Sequence, residues 1–468
     1  MLDIYSIFFL GLTLVSSIVT LCALPQQFRV STHNKRFLFF YLLTIAATVE
    51  FFLSGTNLMK QFFFFEIMTL ASFAYVPNDE SEYAKKASFS YLAYGIAGGL
   101  VMLYGLMILY YMFGTFELTE IRQMWIAFEG TPVNRRNLFI AGACLLFGYG
   151  AKAGMFPLHT WLPDTYTAAP PVGTTLLSSL LSKTGIYGIL LLTTSPIGSL
   201  HYWKALLMVL ALCTMFVGGA FAIFATDMKK LLAYSSMSQI GFILFGISVC
   251  TITEGLDGFY GVLLHTATHS IFKLILFTVA GVIFAMAGTT DLNRIGGVIR
   301  KKKSLKIPVA IAALGMGGIP LLSGYISKTM LHEASLGAPY FEFMMPAAEW
   351  IFLFCGGLTV AYMLKLFVAL FCNKVDEPVQ TTGEKGPLIP IRICLWVLAA
   401  VIVIVGIMGL VLEPVYFISF ETLKGALISI AIGILIYIFV VRRAGFIKKE
   451  DGSFVCREVI PSWFGLEN

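Results

Sequence analysis

The chain has 468 residues, of which 58% are hydrophobic and only 12% charged, and its formal net charge is +6. Soluble globular proteins carry about 25% charged residues, and a water-facing surface needs that charge. The composition therefore excludes a soluble enzyme of ordinary domains, a disordered or collagen-like chain and a disulfide scaffold. It predicts an all-α, polytopic membrane protein, whose modest basic excess is typical of inner loops.

The apolar residues are concentrated in about thirteen segments, each long enough to cross a bilayer as a helix of about 20 residues. These segments do not alternate apolar and polar residues and are too long for the strands of a membrane barrel. The first carries Asp3 in place of a basic leader, so we interpret it as a span and not as a cleaved signal peptide. The predicted spans lie near residues 2–24, 37–55, 60–76, 87–113, 138–156, 172–195, 204–226, 230–250, 257–284, 307–326, 349–372, 390–413 and 419–441.

Basic residues predict the orientation of these spans, because loops on the inner side carry an excess of Lys and Arg. With this number of spans, the basic loops after the first and ninth spans and the basic tail fall on one side. The opposite side is neutral or acidic, with Glu254, Glu333, Glu342 and Glu413. We therefore expect the N-terminus outside and the C-terminus inside the cell membrane of a prokaryote. The loop 77–86 fits poorly, since it is rich in acidic residues.

Glycine and proline interrupt two of the predicted spans, the fifth and the tenth. At membrane depth such interruptions occur where the freed backbone is buried in protein or lines a wet cavity. Two interrupted helices in corresponding halves of a chain indicate inverted repeats with a transport path between them. The interrupting residues are Gly148, Gly150, Gly154 and Pro157 in the fifth span, and Gly315, Gly317, Gly318, Pro320 and Gly324 in the tenth.

Ionisable residues also occur inside the apolar spans, where each costs about 2.5–3.5 kcal/mol on insertion scales and therefore points to a function. Three of them, His265, His269 and Lys273, are spaced by four residues, which places them on one helix face about 6 Å apart per step. Proton conduction needs such groups, because burial and neighbouring charges adjust a pKa until the group binds and releases a proton. The candidate proton path consists of Glu66, Lys152, Lys183, His265, His269, Lys273 and Lys328.

Structural roles for the ionisable residues stay open beside proton conduction. A buried Lys or Glu also serves as an inert ion pair between helices, and a lysine near the end of a span, such as Lys365, extends to the interface. His159 and Asp164 fit a structural role and proton uptake equally well. His265 and His269 share the HxxxH spacing of a metal or haem site, but no carboxylate or cysteine lies beside them, so no metal and no cofactor are expected. The remaining candidates are expected at the surface: Lys229 and Lys230 as interface anchors, and His33, His201 and His332 as loop or rim residues.

The segment KAGMFPLHTWLPDTYTAAPPVGTTLLSSLLSKTGIYG, Lys152–Gly188, resembles the central signature of the antiporter-like membrane subunits. This family is shared by respiratory complex I (NADH:quinone oxidoreductase), Mrp-type multisubunit Na+/H+ antiporters and membrane-bound hydrogenases. The segments FFFFEIMTL, DMKKLLAYSSMSQIGFI, HTATHSIFKLILFTVAG and GMGGIPLLSGYISK agree with the same family. The resemblance covers residues 55–370.

The resemblance implies roles for the candidate residues. Glu66 would pair with Lys152 on the first broken helix, Lys183 would be the lysine of the next helix, and Lys328 would be the charged residue of the second broken helix. It also implies ten core helices in two inverted five-helix repeats. We expect an N-terminal span and inner loop at 1–36, the repeats at 37–195 and 196–372, two C-terminal spans at 373–441 and an inner basic tail at 442–468.

The predicted function is proton, or Na+, translocation by a subunit of a redox-driven complex of the complex I or membrane-bound hydrogenase type, with no redox chemistry within this chain. A proton would reach Lys183 and the histidine stripe from the inner side and leave beside Lys328, with Glu66 and Lys152 as the switch. The alternatives are an Mrp-type antiporter without a redox partner, and a membrane partner that energises an unrelated subunit. Expected partners are other membrane subunits, including further antiporter-like ones, and the lipid bilayer; nucleic acid is not expected.

Overall fold

The computed structural model describes residues 4–128, 132–250, 256–300, 302–336, 344–372, 386–448 and 454–456. Within these ranges the chain is helical almost throughout, as the apolar segments predict. Glu254, Glu342 and most of the basic tail lie outside the described residues. The first half of the chain contains α1 (Ile4–Gln27), α2 (Asn34–Leu53), α3 (Leu58–Tyr75), α4 (Glu82–Phe113), α5 (Leu118–Phe128), α6 (Pro132–Ala153), α7 (Trp161–Ala168), α8 (Pro171–Leu176) and α9 (Ser182–Thr193).

The second half of the chain is also helical, and its last described residues form a short antiparallel pair of strands, which joins Phe446–Lys448 to Phe454–Cys456. A π-helical segment, Tyr437–Gly445, leads into the first of these strands. The helices are α10 (His201–Phe224), α11 (Met228–Cys250), α12 (Leu256–Ala287), α13 (Lys303–Gly317), α14 (Ser323–Leu336), α15 (Met345–Phe371), α16 (Ile389–Leu412), α17 (Pro414–Phe417) and α18 (Phe420–Ile436).

Ten helical segments of the described residues are long and apolar enough to cross a membrane, by length and composition. The prediction of an all-α polytopic membrane protein is thus confirmed. The predicted spans that are not among these ten were left out of the set for local reasons. α3 and α6 contain Glu66 and Lys152, which lower their hydropathy, and the tenth predicted span is divided into the shorter pieces α13 and α14.

Loops that the predicted order of spans places on one side are joined by hydrogen bonds. Arg36, in α2 just after the first loop, donates to Glu80 after α3 at 2.9 Å. The backbone amide of Leu292 after α12 donates to the carbonyl of Thr226 after α10 at 2.9 Å. The acidic loop 77–86 thus lies beside basic residues, which explains why its negative charge is tolerated there. We call this end of the bundle the basic end; its position inside the cell stays a prediction.

Both predicted helix interruptions are present in the structure. α6 ends at Ala153 and is followed by Gly154 with φ +79°, and α13 ends at Gly317 before Gly318 with φ +78°. A left-handed backbone favours glycine, because other residues carry a Cβ that clashes there. The breaks release backbone carbonyls inside the bundle, which need new donors. The indole Nε1 of Trp161 donates to the carbonyl of Ala151 at 2.9 Å at the first break.

Candidate functional site

Lys152 lies in the last turn of α6, directly before the first break, and is buried. Its ammonium donates hydrogen bonds to the hydroxyls of Thr69 in α3, at 2.9 Å, and Tyr91 in α4, at 2.6 Å. It also lies 5.6 Å from the centre of the Phe65 ring and 5.0 Å from that of Tyr91. Hydroxyl oxygens and aromatic faces thus stabilise the charge at a depth where water is scarce.

Glu66 lies in α3, one turn before Thr69, and interacts electrostatically with Lys152. The direct pair that the resemblance implies is not formed in this structure, because the hydrogen bonds of the ammonium go to Thr69 and Tyr91. The Oε1 atom of Glu66 has no hydrogen-bond partner. Its carboxylate lies against Gly99 of α4, where any side chain would overlap it. The two charges are therefore close but separated.

Lys183 lies at the start of α9 and is fully buried. Leu177–Leu181 form a π-helical turn immediately before this helix, a feature that is frequent at functional sites. The Ser178 carbonyl in this turn accepts a hydrogen bond from the Lys183 ammonium at 2.5 Å and one from the Ser182 hydroxyl at 3.0 Å. The irregular turn thus supplies the acceptor that a buried ammonium requires.

The predicted histidine stripe lies on α12, within the bundle. His265 Nδ1 is 2.9 Å from the hydroxyl of Ser327 in α14. His269 is fully buried, and neither of its ring nitrogens has a hydrogen-bond partner. Buried polar atoms without partners cost free energy and are rare in native proteins. Among the described residues, His269 therefore stands out as a buried imidazole whose two ring nitrogens meet no protein partner.

Two further buried lysines lie next to the histidines. Lys273, one turn after His269, donates to the Leu232 carbonyl at 2.8 Å and the Ser235 hydroxyl at 2.9 Å, both in α11. Lys328 in α14 donates to the carbonyl of Met316 at 2.8 Å. That carbonyl is one of those released by the second break, so the helix interruption creates the binding position of this lysine.

Most of the predicted path residues form one electrostatically connected cluster. Lys183 interacts with His265, His269 and Lys273, and Lys328 interacts with His265. Glu66 and Lys152, which interact electrostatically with each other without direct contact, lie beside this cluster. The helices of the two groups touch: α6 packs on α9 at Gly185, where a side chain would overlap the backbone of α6. The sequence candidates thus come together, in two adjacent groups.

Two buried lysines bind backbone carbonyls at helix ends: Lys365, whose role the sequence left open, and Lys229, which the sequence analysis placed at the surface as an interface anchor. Lys365 is fully buried in α15 and donates to the carbonyls of Ile223, at 2.6 Å, and Ala225, at 2.8 Å, where α10 ends. Lys229 donates to the carbonyl of Ala169, at 2.8 Å, where α7 ends. A cation at the C-terminus of a helix stabilises its unpaired carbonyls. Both contacts favour a structural role, and Lys365 does not extend to an interface as its position near the end of a span suggested.

His159 and Asp164 are buried around α7, next to the first break. Asp164 accepts a hydrogen bond from the Tyr83 hydroxyl at 3.1 Å, and the ring of His159 stacks on Phe156 with centroids 5.6 Å apart. The two residues are therefore anchored in the fold, and proton uptake through them stays a prediction.

Sequence reasoning placed His332 at a rim, but the structure shows it buried in α14, one turn after Lys328. The spacing of four residues between the two is the signal that could have found it, since the same spacing identified the stripe in α12. His201 begins α10, and its side chain lies outside the described residues. Thr69 and Tyr91, which bind Lys152, also carry no signal in the sequence, because their partners are more than 60 residues away.

The contacts of Lys365 give a first testable prediction. Lys365→Met should lower the stability of the protein by about 1–3 kcal/mol, because buried carbonyls lose their donor. The ion flux per folded molecule should be unchanged, because the hydrogen bonds of this lysine to the carbonyls of Ile223 and Ala225 place it at the end of α10. Thermal unfolding in detergent and flux per reconstituted protein measure the two effects. A variant of normal stability with reduced flux would instead place Lys365 on the path.

The family described as "NADH:quinone oxidoreductase/Mrp antiporter, TM" matches residues 55–366 of the chain. The chain belongs to this family. The resemblance predicted from the sequence segments is thereby confirmed, and the matched range includes all candidate residues from Glu66 to Lys328. It also contains both broken helices.

Two relatives of the chain are subunits with different names, one of an antiporter and one of a hydrogenase. The chain is 28% identical over 418 residues to an Na(+)/H(+) antiporter subunit of Alkalihalophilus pseudofirmus, and the match covers 86% of this chain and 79% of that protein. It is 27% identical over 367 residues to Hydrogenase-4 component B of Escherichia coli, with 75% of this chain and 53% of that protein covered. The chain thus spans about half the length of the hydrogenase component.

A solved structure has the same fold. One chain of the Mrp complex from Dietzia sp. DQ12-45-1b superposes with a TM-score of 0.77 at 23% sequence identity, over 94% of this chain and 48% of that chain. The helices of this chain and their order are therefore those of that chain of the Mrp complex. This similarity concerns the fold alone.

Proposed function

We propose that this chain moves protons across a membrane as an antiporter-like subunit of a multisubunit, redox-driven complex. The observation that carries the proposal is the buried cluster of Lys183, His265, His269 and Lys273, in which His269 has two ring nitrogens without partners. Ionisable side chains inside a membrane bundle are costly unless they serve a pathway or a pair. Within the cluster the described contacts are to hydroxyls and carbonyls, so these charges are not neutralised by carboxylates.

The chemistry of the cluster favours protons over Na+. A sodium site requires several oxygen ligands, whereas an ammonium group offers only hydrogen-bond donors. The ammonium groups of Lys183, Lys273 and Lys328 would repel a metal cation. Histidine titrates near neutral pH and links donors and acceptors on its two sides. The cluster therefore offers groups that bind a proton, whereas it offers few oxygen ligands to a sodium ion.

The pair of Glu66 and Lys152 is proposed to act as the switch of the path. In the structure the ammonium of Lys152 is bound to Thr69 and Tyr91, which corresponds to the open pair. Moving it onto the carboxylate would add an attraction of about 4 kcal/mol at 4 Å and an effective dielectric constant near 20. That energy is enough to decide whether Lys152 holds its proton. The broken helices would then be equivalent parts of inverted repeats at 37–195 and 196–372.

The relatives support two candidates for the reaction that drives the complex. The hydrogenase component among the relatives supports a redox-driven complex, in which electron carriers belong to other subunits. The second candidate is an Mrp-type antiporter without a redox partner, favoured by the antiporter subunit that aligns with most of both chains. In both cases we propose that the chain lies in a prokaryotic cell membrane with its basic end in the cytoplasm.

Purification in mild detergent tests the complex, and reconstitution tests the transport. Iron–sulfur or hydrogenase subunits that co-purify would support the redox-driven complex, whereas small antiporter subunits alone would favour the second candidate. The purified complex is then placed in vesicles with a pH-sensitive dye, and the redox reaction or a Na+ gradient is applied. The expected result is acidification on one side. A complex that catalyses its reaction without any pH change would contradict proton translocation.

A further inference from the structure

A small cavity with several polar groups in its lining lies beside Lys328, between α14, α15 and α18. Its volume is about 30 Å³, and a buried water occupies at least about 10–15 Å³ by the same measure, so the cavity has room for about two. The polar residues of its lining are Tyr325, Lys328, Thr329, His332, Thr422 and Ser429. Such a site is both roomy and polar enough to hold water, which connects the lysine to the other lining groups.

His332 links this cavity to carboxylates at the end of the bundle opposite the basic end. Its Nε2 atom lies 3.2 Å from Oε1 of Glu349, and its Nδ1 atom lies 3.8 Å from Oε1 of Glu333. The side chain of His332 is only 10% exposed, whereas those of Glu349 and Glu333 are 33% and 26% exposed. The imidazole therefore stands between a buried ammonium and two carboxylates that reach the surface.

A glycine keeps the imidazole open to the cavity. Gly425 in α18 lines the cavity, and a Cβ atom there would lie 3.6 Å from Nδ1 of His332. A larger side chain at this position would fill the space that separates His332 from Lys328. The contact of His332 with the cavity thus depends on Gly425 of α18 as well as on Lys328 and His332 of α14.

We propose that His332 is a further residue of the proton path and that it passes protons from Lys328 to Glu349 and Glu333. This inference rests on the proposed function. The Lys328 ammonium gives its proton to water in the cavity, and the water gives a proton to one ring nitrogen of His332. The imidazolium then releases the proton on its other nitrogen to Glu349, which loses it to the solvent. Lys328 is left neutral and ready to accept the next proton.

The first test is His332→Gln in the intact complex, reconstituted for flux measurements. Glutamine keeps the bulk and a donor towards Glu349 but does not accept and release a proton, so the flux should fall at least about tenfold. His33→Gln is the matched control, because His33 also lies beside a carboxylate, with Nε2 3.6 Å from Glu80, but it is at the basic end and its side chain is 42% exposed. In His332→Ala, added imidazole should restore part of the flux, a rescue that a merely structural role of His332 would not show.

A second variant leaves every titratable group in place. Gly425→Leu should reduce the flux to the same extent by filling the cavity, while Gly11→Leu, at a glycine with no atom within 4 Å of its would-be Cβ, should not. Full flux in both His332→Gln and Gly425→Leu, together with a loss in Lys328→Met, would show that protons leave Lys328 by another way. If Lys183→Met also kept full flux, the proposed function itself would fail, and the two failures are thus distinguishable.

Discussion

Lys183→Met is expected to reduce the proton flux of the complex by about 100-fold or more, because a positioned proton carrier contributes factors of this order. Lys183 is fully buried and interacts with His265, His269 and Lys273. Methionine has nearly the same length and shape but carries no proton, so the connection is interrupted at its centre. Vesicle acidification, normalised to the amount of reconstituted protein, measures the effect.

The fold should survive this replacement. The Ser178 carbonyl that binds the lysine retains the hydrogen bond from Ser182 at 3.0 Å, so it is not left unpaired. Removing a buried ammonium also removes its desolvation cost. Lys365→Met is the matched control, since it makes the same exchange at a fully buried lysine, whose ammonium donates to carbonyls at the end of α10. A well-assembled Lys183→Met complex with full flux would exclude Lys183 from the path.

The sequence was sufficient for the features of this fold that depend on local chemistry. Apolar segments predict the membrane helices because a bilayer requires about 20 apolar residues per span. The two breaks were predictable because glycine is favoured where a backbone leaves the helical conformation. In the structure Gly154 and Gly318 adopt left-handed backbone conformations at these breaks. The stripe on α12 was predictable because a spacing of four residues always places side chains on one helix face.

The partners of the buried charges were not predictable, since they depend on how distant helices pack. Lys152 binds the hydroxyls of Thr69 and Tyr91, and nothing in the sequence distinguishes these from other hydroxyls in apolar helices. Lys365 looked like an interface lysine because it follows an apolar run near the end of a span. Its carbonyl acceptors belong to the end of α10, more than 100 residues away.

The π-helical turn before Lys183 shows a different limit of sequence reasoning. The segment Leu177–Leu181 consists of Leu and Ser, residues that are common in regular helices. The extra residue in this turn matters because it directs the Ser178 carbonyl towards the ammonium. A buried charge creates the need for such an acceptor, but the sequence does not say which backbone carbonyl will meet it. The chemistry of a path residue is therefore more predictable than its coordination.

Glu66→Ala is expected to abolish proton pumping while leaving assembly intact. Without the carboxylate, Lys152 loses the partner that the switch requires, although its hydrogen bonds to Thr69 and Tyr91 remain. The fold should be unaffected, because Oε1 of Glu66 has no hydrogen-bond partner to lose. Pumping by the reconstituted complex and the yield of assembled complex are the two measurements. Glu50→Ala is the control, since Glu50 is an exposed carboxylate in neighbouring α2.

Gly99→Val tests the same switch without removing a charge. The carboxylate of Glu66 occupies the space over Gly99, so a valine there should push it away from Lys152 and reduce pumping as Glu66→Ala does. The combined variant Glu66→Ala/Gly99→Val should be no worse than either change alone, because both act on the same pair. Full pumping by a well-assembled Glu66→Ala complex would refute the switch. A loss in Gly99→Val alone would then indicate that α3 and α4 matter through their packing and not through the carboxylate.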